Sequence, residues 1–196
     1  MKIKEYFKST ALFLNNLKKS NQNCNPTEAE EQRTKIEDFY KSVAIYFNKE
    51  HHIIISLETI TSDFSSVVDS GKWYELNPPY NEEELTKLIK FALSQSFTEF
   101  STWKPGERII TPIQKCLKKR SYKQAIIGYG LFEIDDSKEN GYEFTVTYQD
   151  AKRPGFIYMP DKTFSIPHDC TDVEFAEGVK KAMELSVIEP CLSKPI

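Results

Sequence analysis

Residues 140–149 read Asn140-Gly141-Tyr142-Glu143-Phe144-Thr145-Val146-Thr147-Tyr148-Gln149. In an extended chain Tyr142, Phe144, Val146 and Tyr148 face one side, while Glu143, Thr145, Thr147 and Gln149 face the other. Asn-Gly just ahead of such an alternation suits a tight hairpin turn, whose central residues need positive φ. The stretch therefore predicts a strand entered through a hairpin, and with it an antiparallel sheet. Further extended segments are expected around it, at residues 125–134, 156–159 and 164–166.

The same texture opens earlier. Val43, Ile45 and Phe47 alternate with more polar neighbours, Asn48-Lys49-Glu50 makes a turn, and Ile53-Ile54-Ile55-Ser56-Leu57 reads as a buried strand. A second hairpin is the expectation, followed by a short extended segment at 72–76 that Pro78 and Pro79 close. Two amphipathic helices complete the pattern. One starts after Asn81, whose partner three residues on is Glu84, and shows Leu85, Leu88, Ile89, Ala92 and Leu93 on one face. The other starts at Thr171 with Glu174, runs to about Ser186, and Pro190 prevents any continuation. A shorter helix is expected behind Thr111-Pro112, burying Ile113, Cys116 and Leu117. Before Tyr40, an apolar stripe at Ile3, Phe7, Ala11, Leu14 and Leu17 and the Thr27/Glu30 spacing predict two helices.

Residues 72–96 and 162–186 superpose without a gap at an offset of 90. Lys72, Glu84, Lys90, Ala92 and Ser96 fall on Lys162, Glu174, Lys180, Ala182 and Ser186, which is five identities in 25 columns. Apolar positions agree as well: Tyr74 with Phe164, Leu76 with Ile166, Leu85 with Phe175, Ile89 with Val179, Leu93 with Met183. Upstream, Tyr40-Lys41 resembles Tyr122-Lys123 at a spacing eight residues shorter, which implies an insertion in the later copy. The fold class is thus α+β: one domain over residues 1–196, a mostly antiparallel sheet covered by helices, with a possible internal β-rich/α pseudo-repeat. Its core spans about 40–187, and 1–39 form a helical extension.

Composition narrows the function. The 196 residues carry 26 Lys and Arg against 29 Asp and Glu, a net charge of −3. That balance disfavours general nucleic-acid binding, which needs a basic stripe to displace counterions from phosphate. Four dispersed cysteines, Cys24, Cys116, Cys170 and Cys191, form no C-x-x-C pair, and the apolar run 11–14 ends at Asn15-Asn16, too soon for a signal peptide. The expected location is the cytoplasm, with free thiols.

Catalytic signatures are missing from the sequence. His51 and His52 are neighbours on an extended chain and point to opposite faces, so no metal site is expected from them. His168-Asp169-Cys170 lines up three catalytic residue types, yet sequence neighbours rarely converge as a triad; Asp169 suits the following helix start and Cys170 packing. There is no Gly-x-Ser-x-Gly elbow and no phosphate-binding glycine loop, and seven glycines leave little material for one. The basic group Lys115, Lys118, Lys119 and Arg120 is read as offsetting a helix dipole. What remains is surface: an acidic turn made of Glu133, Asp135, Asp136, Glu139 and Asn140, and the aromatic residues Trp73, Tyr74 and Trp103, which suit either a partner or the core.

From Lys119 onward the features come in a characteristic order. Ser121-Tyr122-Lys123, an apolar strand, an acidic turn and Glu143-Phe144-Thr145-Val146-Thr147 are followed by Gly155-Phe156-Ile157-Tyr158-Met159-Pro160-Asp161, the step Ile166-Pro167 and a capped helix. This block resembles the immunity proteins of contact-dependent growth inhibition, a family formerly catalogued as a domain of unknown function. The likeness covers about residues 40–186, and Gly178 falls where the family carries a glycine early in the last helix. The resemblance implies a cytoplasmic, non-catalytic protein without cofactor that binds one cognate toxin domain, commonly a nuclease, and occludes its active site. The toxin would be the C-terminal part of a large surface-delivered protein, and the acidic residues 133–140 are the expected contact. The alternatives are a small cysteine-dependent enzyme using Cys170 or Cys116 with His168, and a regulatory or scaffold module.

Overall fold

A computed structural model describes residues 40–61, 67–98, 101, 103, 107–152 and 154–191. The two helices expected before Tyr40 lie outside the described residues. Among the described residues, eight strands form one sheet: β1 (Tyr40–Asn48), β2 (Ile53–Ile60), β3 (Val67–Leu76), β4 (Tyr129–Ser137), β5 (Gly141–Asp150), β6 (Phe156–Tyr158), β7 (Phe164–Ile166) and β8 (Val187–Cys191). The helices among these residues are α1 (Glu82–Gln95), α2 (Pro112–Cys116), α3 (Tyr122–Ala125) and α4 (Asp172–Leu185).

The strand order is β3-β2-β1-β4-β5-β6, with β7 and β8 also pairing β5. All pairings are antiparallel except that of β8, which joins β5 in parallel. Both expected hairpins are present: Phe47 pairs Ile53 across the first, and Ser137 pairs Gly141 across the second. Period two then assigns each strand's side chains to two faces. One face carries Val43, Ile45, Phe47, Ile53, Ile55, Leu57, Phe132, Ile134, Phe144 and Val146, and packs against Leu85, Ile89 and Leu93 of α1 and Phe175 and Val179 of α4. The opposite face carries a smaller cluster, where Ala44, Tyr46, Ile54 and Leu131 meet Ile113 of α2 and Ala125 of α3.

The two long helices share their local design. Asn81 Oδ1 accepts from Glu84 N at 2.9 Å, and Glu84 Oε2 accepts from Asn81 N at 3.0 Å. Thr171 and Glu174 form the same reciprocal pair, at 3.2 and 2.7 Å. Each helix is 14 residues long and is preceded by an antiparallel strand group. β1-β2-β3-α1 is answered by β4-β5-β7-α4, and β1 and β4, nine residues each, lie side by side at the centre of the sheet. Between the helices, Lys90 Nζ meets Asp172 Oδ1 at 2.5 Å and Lys180 Nζ meets Glu82 Oε1 at 2.5 Å. The second pair is the first with its partners exchanged at an offset of 90, as a two-fold relation requires.

Three expectations change. β4 starts at Tyr129 rather than near 125, because residues 122–125 form a turn of helix capped by Ser121. β1 and β4 begin 129 − 40 = 89 residues apart, and α1 and α4 begin 172 − 82 = 90 apart, so the inferred eight-residue insertion is not needed between strand and helix. Tyr122-Lys123 belongs to α3, ahead of the second half's first strand. The short segment at 72–76 is the end of a ten-residue strand, β3. The last helix ends at Leu185 with Ser186 as its C-cap, as expected, and the chain then adds a short strand, β8, that contains Pro190.

Candidate functional site

The acidic residues singled out in the sequence do not form one turn. Glu133, Asp135 and Asp136 lie in β4, and only Glu139 and Asn140 occupy the exposed hairpin tip. The reason is the length of the hairpin: β4 stays paired with β5 up to Ser137, so the strand runs through the carboxylates. Alternation then separates them. Asp136 faces the α4 side, where His168 Nε2 lies 2.7 Å from its Oδ1 and the His168 ring stands edge-on to Tyr142 at 5.2 Å. Glu133 and Asp135 face the opposite side, where Asp135 is only 8% exposed and therefore not the solvated turn residue expected.

On that opposite face the structure adds carboxylates that the sequence did not flag. Glu58 and Asp69 pair across β2 and β3, and Ser42 of β1 lies beside Asp135 in register. Burial first, and Asp135 second, push the Glu58 carboxyl up to about 8. Glu133 is raised well above the ordinary range by burial and then by Glu58 and Asp135. Asp69 is raised by burial, opposed by a hydrogen bond from Ser56 Oγ and by the Lys115 charge. Tyrosines border the group: Tyr158 Oη donates to Glu133 Oε1 at 3.1 Å, and Tyr46 and Tyr122 are hydrogen-bonded to each other. Four carboxyl groups from three strands thus share one poorly solvated patch, a surface electrostatically complementary to a cation. The signal available in the sequence is a glutamate near the end of the apolar run 53–60, beyond the expected strand end at Leu57.

A second polar group lies toward the other end of the same face. His52 sits at the foot of β2, Glu75 near the end of β3 and Cys116 at the end of α2. The β1–β2 turn positions the histidine: Asn48 Oδ1 accepts from His52 N at 2.8 Å, and His51 takes the positive φ of 61°. His52 Nε2 lies 2.9 Å from Glu75 Oε1, and Nδ1 lies 2.7 Å from Tyr129 Oη. Burial pushes Glu75 up, but hydrogen bonds from Cys116, Asn77 and His52 outweigh it and hold the carboxyl low. The Cys116 thiol is pushed up to about 11, by burial and then by Glu75. His51 is exposed in the turn ahead of β2, at positive φ rather than on an extended chain, while His52 finds its neighbours on other elements.

The remaining candidates have structural positions. Cys170 is partly buried against the main core, its thiol raised by burial, while His168 is directed at Asp136. Lys118, Lys119 and Arg120 are exposed beyond α2. Trp73 packs on the smaller cluster, Tyr74 on the larger one against Phe91 at 5.5 Å, and Trp103 Nε1 donates to Glu107 O at 2.9 Å. Among the described residues, no helix is long and apolar enough to cross a membrane.

An antiparallel sheet with two capped helices on one face and a carboxylate patch on the other defines an α+β protein. Solved structures share this fold. A protein of unknown function from Neisseria meningitidis superposes with a TM-score of 0.58 at 13% identity, over 76% of this chain and 96% of that one. A chain of the CdiA-CT/CdiI toxin and immunity complex from Yersinia pseudotuberculosis superposes with a TM-score of 0.52 at 11% identity, over 75% of this chain and 97% of that one. No protein-family model matches the chain, and no curated protein matches it in sequence.

Proposed function

We propose that this chain is an immunity protein of contact-dependent growth inhibition: it binds one cognate toxin domain in the cytoplasm and blocks it, without catalysis or cofactor. The observation that carries the reading is the fold shared with a chain of a toxin and immunity complex, over three quarters of the present chain. The carboxylate patch supports it. Glu58, Asp69, Glu133 and Asp135 repel one another on the face away from the long helices, and a cationic side chain from a partner would relieve that repulsion. A nuclease must itself present positive charge to hold phosphate, so the two surfaces are complementary. The hairpin tip with Glu139 and Asn140 adds an exposed rim beside the patch. A standard interface would cover about 800 Å² on each partner.

A cysteine-dependent enzyme gains no comparable support. Such an enzyme needs a thiol held low by a neighbouring cation or base, whereas Cys116 and Cys170 are both shifted upward. The test is protection in cells. Co-expression of the chain with the toxin domain encoded directly upstream should restore growth, and Glu58→Lys combined with Glu133→Lys should abolish the rescue while the protein remains folded. Growth arrest that persists beside abundant wild-type protein would refute the reading.

A further inference from the structure

We propose that His52 Nε2, the Glu75 carboxylate and Cys116 Sγ form a zinc-class metal site that ties α2 to the β2–β3 end of the sheet. These three donor atoms lie within 4.8 Å of one another although they come from three separate elements. The donor set is one imidazole nitrogen, one carboxylate oxygen and one sulfur, the mixture that borderline divalent ions such as Zn²⁺ accept and that Mg²⁺ or Ca²⁺ do not. A thiolate and a carboxylate balance the two positive charges of the ion.

The geometry is nearly prepared. Metal–donor bonds of about 2.0–2.3 Å in a tetrahedron set donor atoms about 3.3–3.6 Å apart. The 2.9 Å contact between His52 and Glu75 therefore has to open by only about half an ångström as the ion replaces the hydrogen bond. The support behind the histidine is also in place: with the ion on Nε2, Nδ1–H donates to the Tyr129 hydroxyl, now 2.7 Å away, and this fixes ring and tautomer. Asn48 holds the His52 backbone from the other side. Glu75, with 42% of its side chain exposed, gives the ion a route in from solvent, and three protein donors leave a fourth position for water or a partner's side chain. The proposal is independent of toxin binding.

The full chain, stripped with a chelator, is titrated with Co²⁺, whose bond to a thiolate produces a sulfur-to-metal charge-transfer band. One equivalent should bring up the band, and Zn²⁺ should displace it. The band should vanish in Cys116→Ser and survive in Cys24→Ser, Cys170→Ser and Cys191→Ser. Tyr129→Phe, which keeps all three donors, should weaken the affinity about 10- to 100-fold. Glu75→Gln, at an exposed side chain, keeps the test decisive if the cysteine variant fails to fold; its affinity should fall at least as far. No band at stoichiometric Co²⁺, a band that persists in Cys116→Ser, or unchanged affinity in Glu75→Gln would overturn the site.

Discussion

At the scale of single residues, the fold depends on a few positions whose chemistry allows no substitute. Gly141 closes the β4–β5 hairpin at φ 75°, and a Cβ there would stand 2.2 Å from the carbonyl oxygen of Ile166. Both the positive φ and the backbone contact oppose a side chain. Gly141→Ala should therefore destabilise the protein by on the order of 1–3 kcal/mol, read as a lower urea midpoint with an unchanged slope. Glu58 is a different case, a residue that lowers stability in its charged form. Its carboxyl is raised to about 8, so the folded state holds a proton that the unfolded chain has lost above its ordinary 4.5. The folded state then binds more protons across that window, and unfolding free energy falls as pH rises from about 4.5 to 8, levelling off above. Melting temperature across this range should decline in the wild type, and Glu58→Gln should flatten the decline. A slope identical in the two proteins would show that Glu58 is not the group responsible.

At the scale of elements, α1 and α4 are defined by their caps and their apolar stripes, and both were legible in the sequence. Asn81 with Glu84 and Thr171 with Glu174 set the starts, and Leu85, Ile89 and Leu93 and their counterparts set the buried face. Phe175 is fully buried, stacked edge-on to Tyr142 at 4.9 Å and tilted against Phe144 at 5.8 Å, and so anchors α4 on the sheet. Phe175→Ala should cost about 3–5 kcal/mol in chemical denaturation. A loss below 1 kcal/mol would mean that α4 is held by other contacts. The strands were legible as alternations, but their ends were not. Period two locates Tyr142, Phe144 and Val146 on one face, yet nothing local says that pairing with β5 carries β4 on to Ser137. Asp135 and Asp136 therefore read as turn residues when they are strand residues on opposite faces. His52, Glu75 and Cys116 could not be grouped from the sequence, because their meeting depends on how β2, β3 and α2 are assembled.

At the scale of the whole molecule, one sheet separates two environments. The face under α1 and α4 is continuous apolar core; the other combines a small apolar cluster with the carboxylate patch toward one end and the His52 group toward the other. The reciprocal pairs Lys90–Asp172 and Lys180–Glu82 relate the halves of the chain, and the offset of 90 read from the sequence reappears in them. The opposite face, with Glu58, Asp69, Glu133 and Asp135, bears the proposed function, in which these groups would meet positive charge on a toxin. Association measured at increasing salt should show a fast on-rate that falls as screening grows, and Glu139→Lys at the exposed rim should slow it without altering stability. The most direct measurement is titration of the purified upstream toxin domain with this chain, following toxin activity and complex formation together. A one-to-one complex and complete loss of toxin activity at equivalence are expected; full toxin activity in the presence of excess folded protein would refute the proposed immunity function.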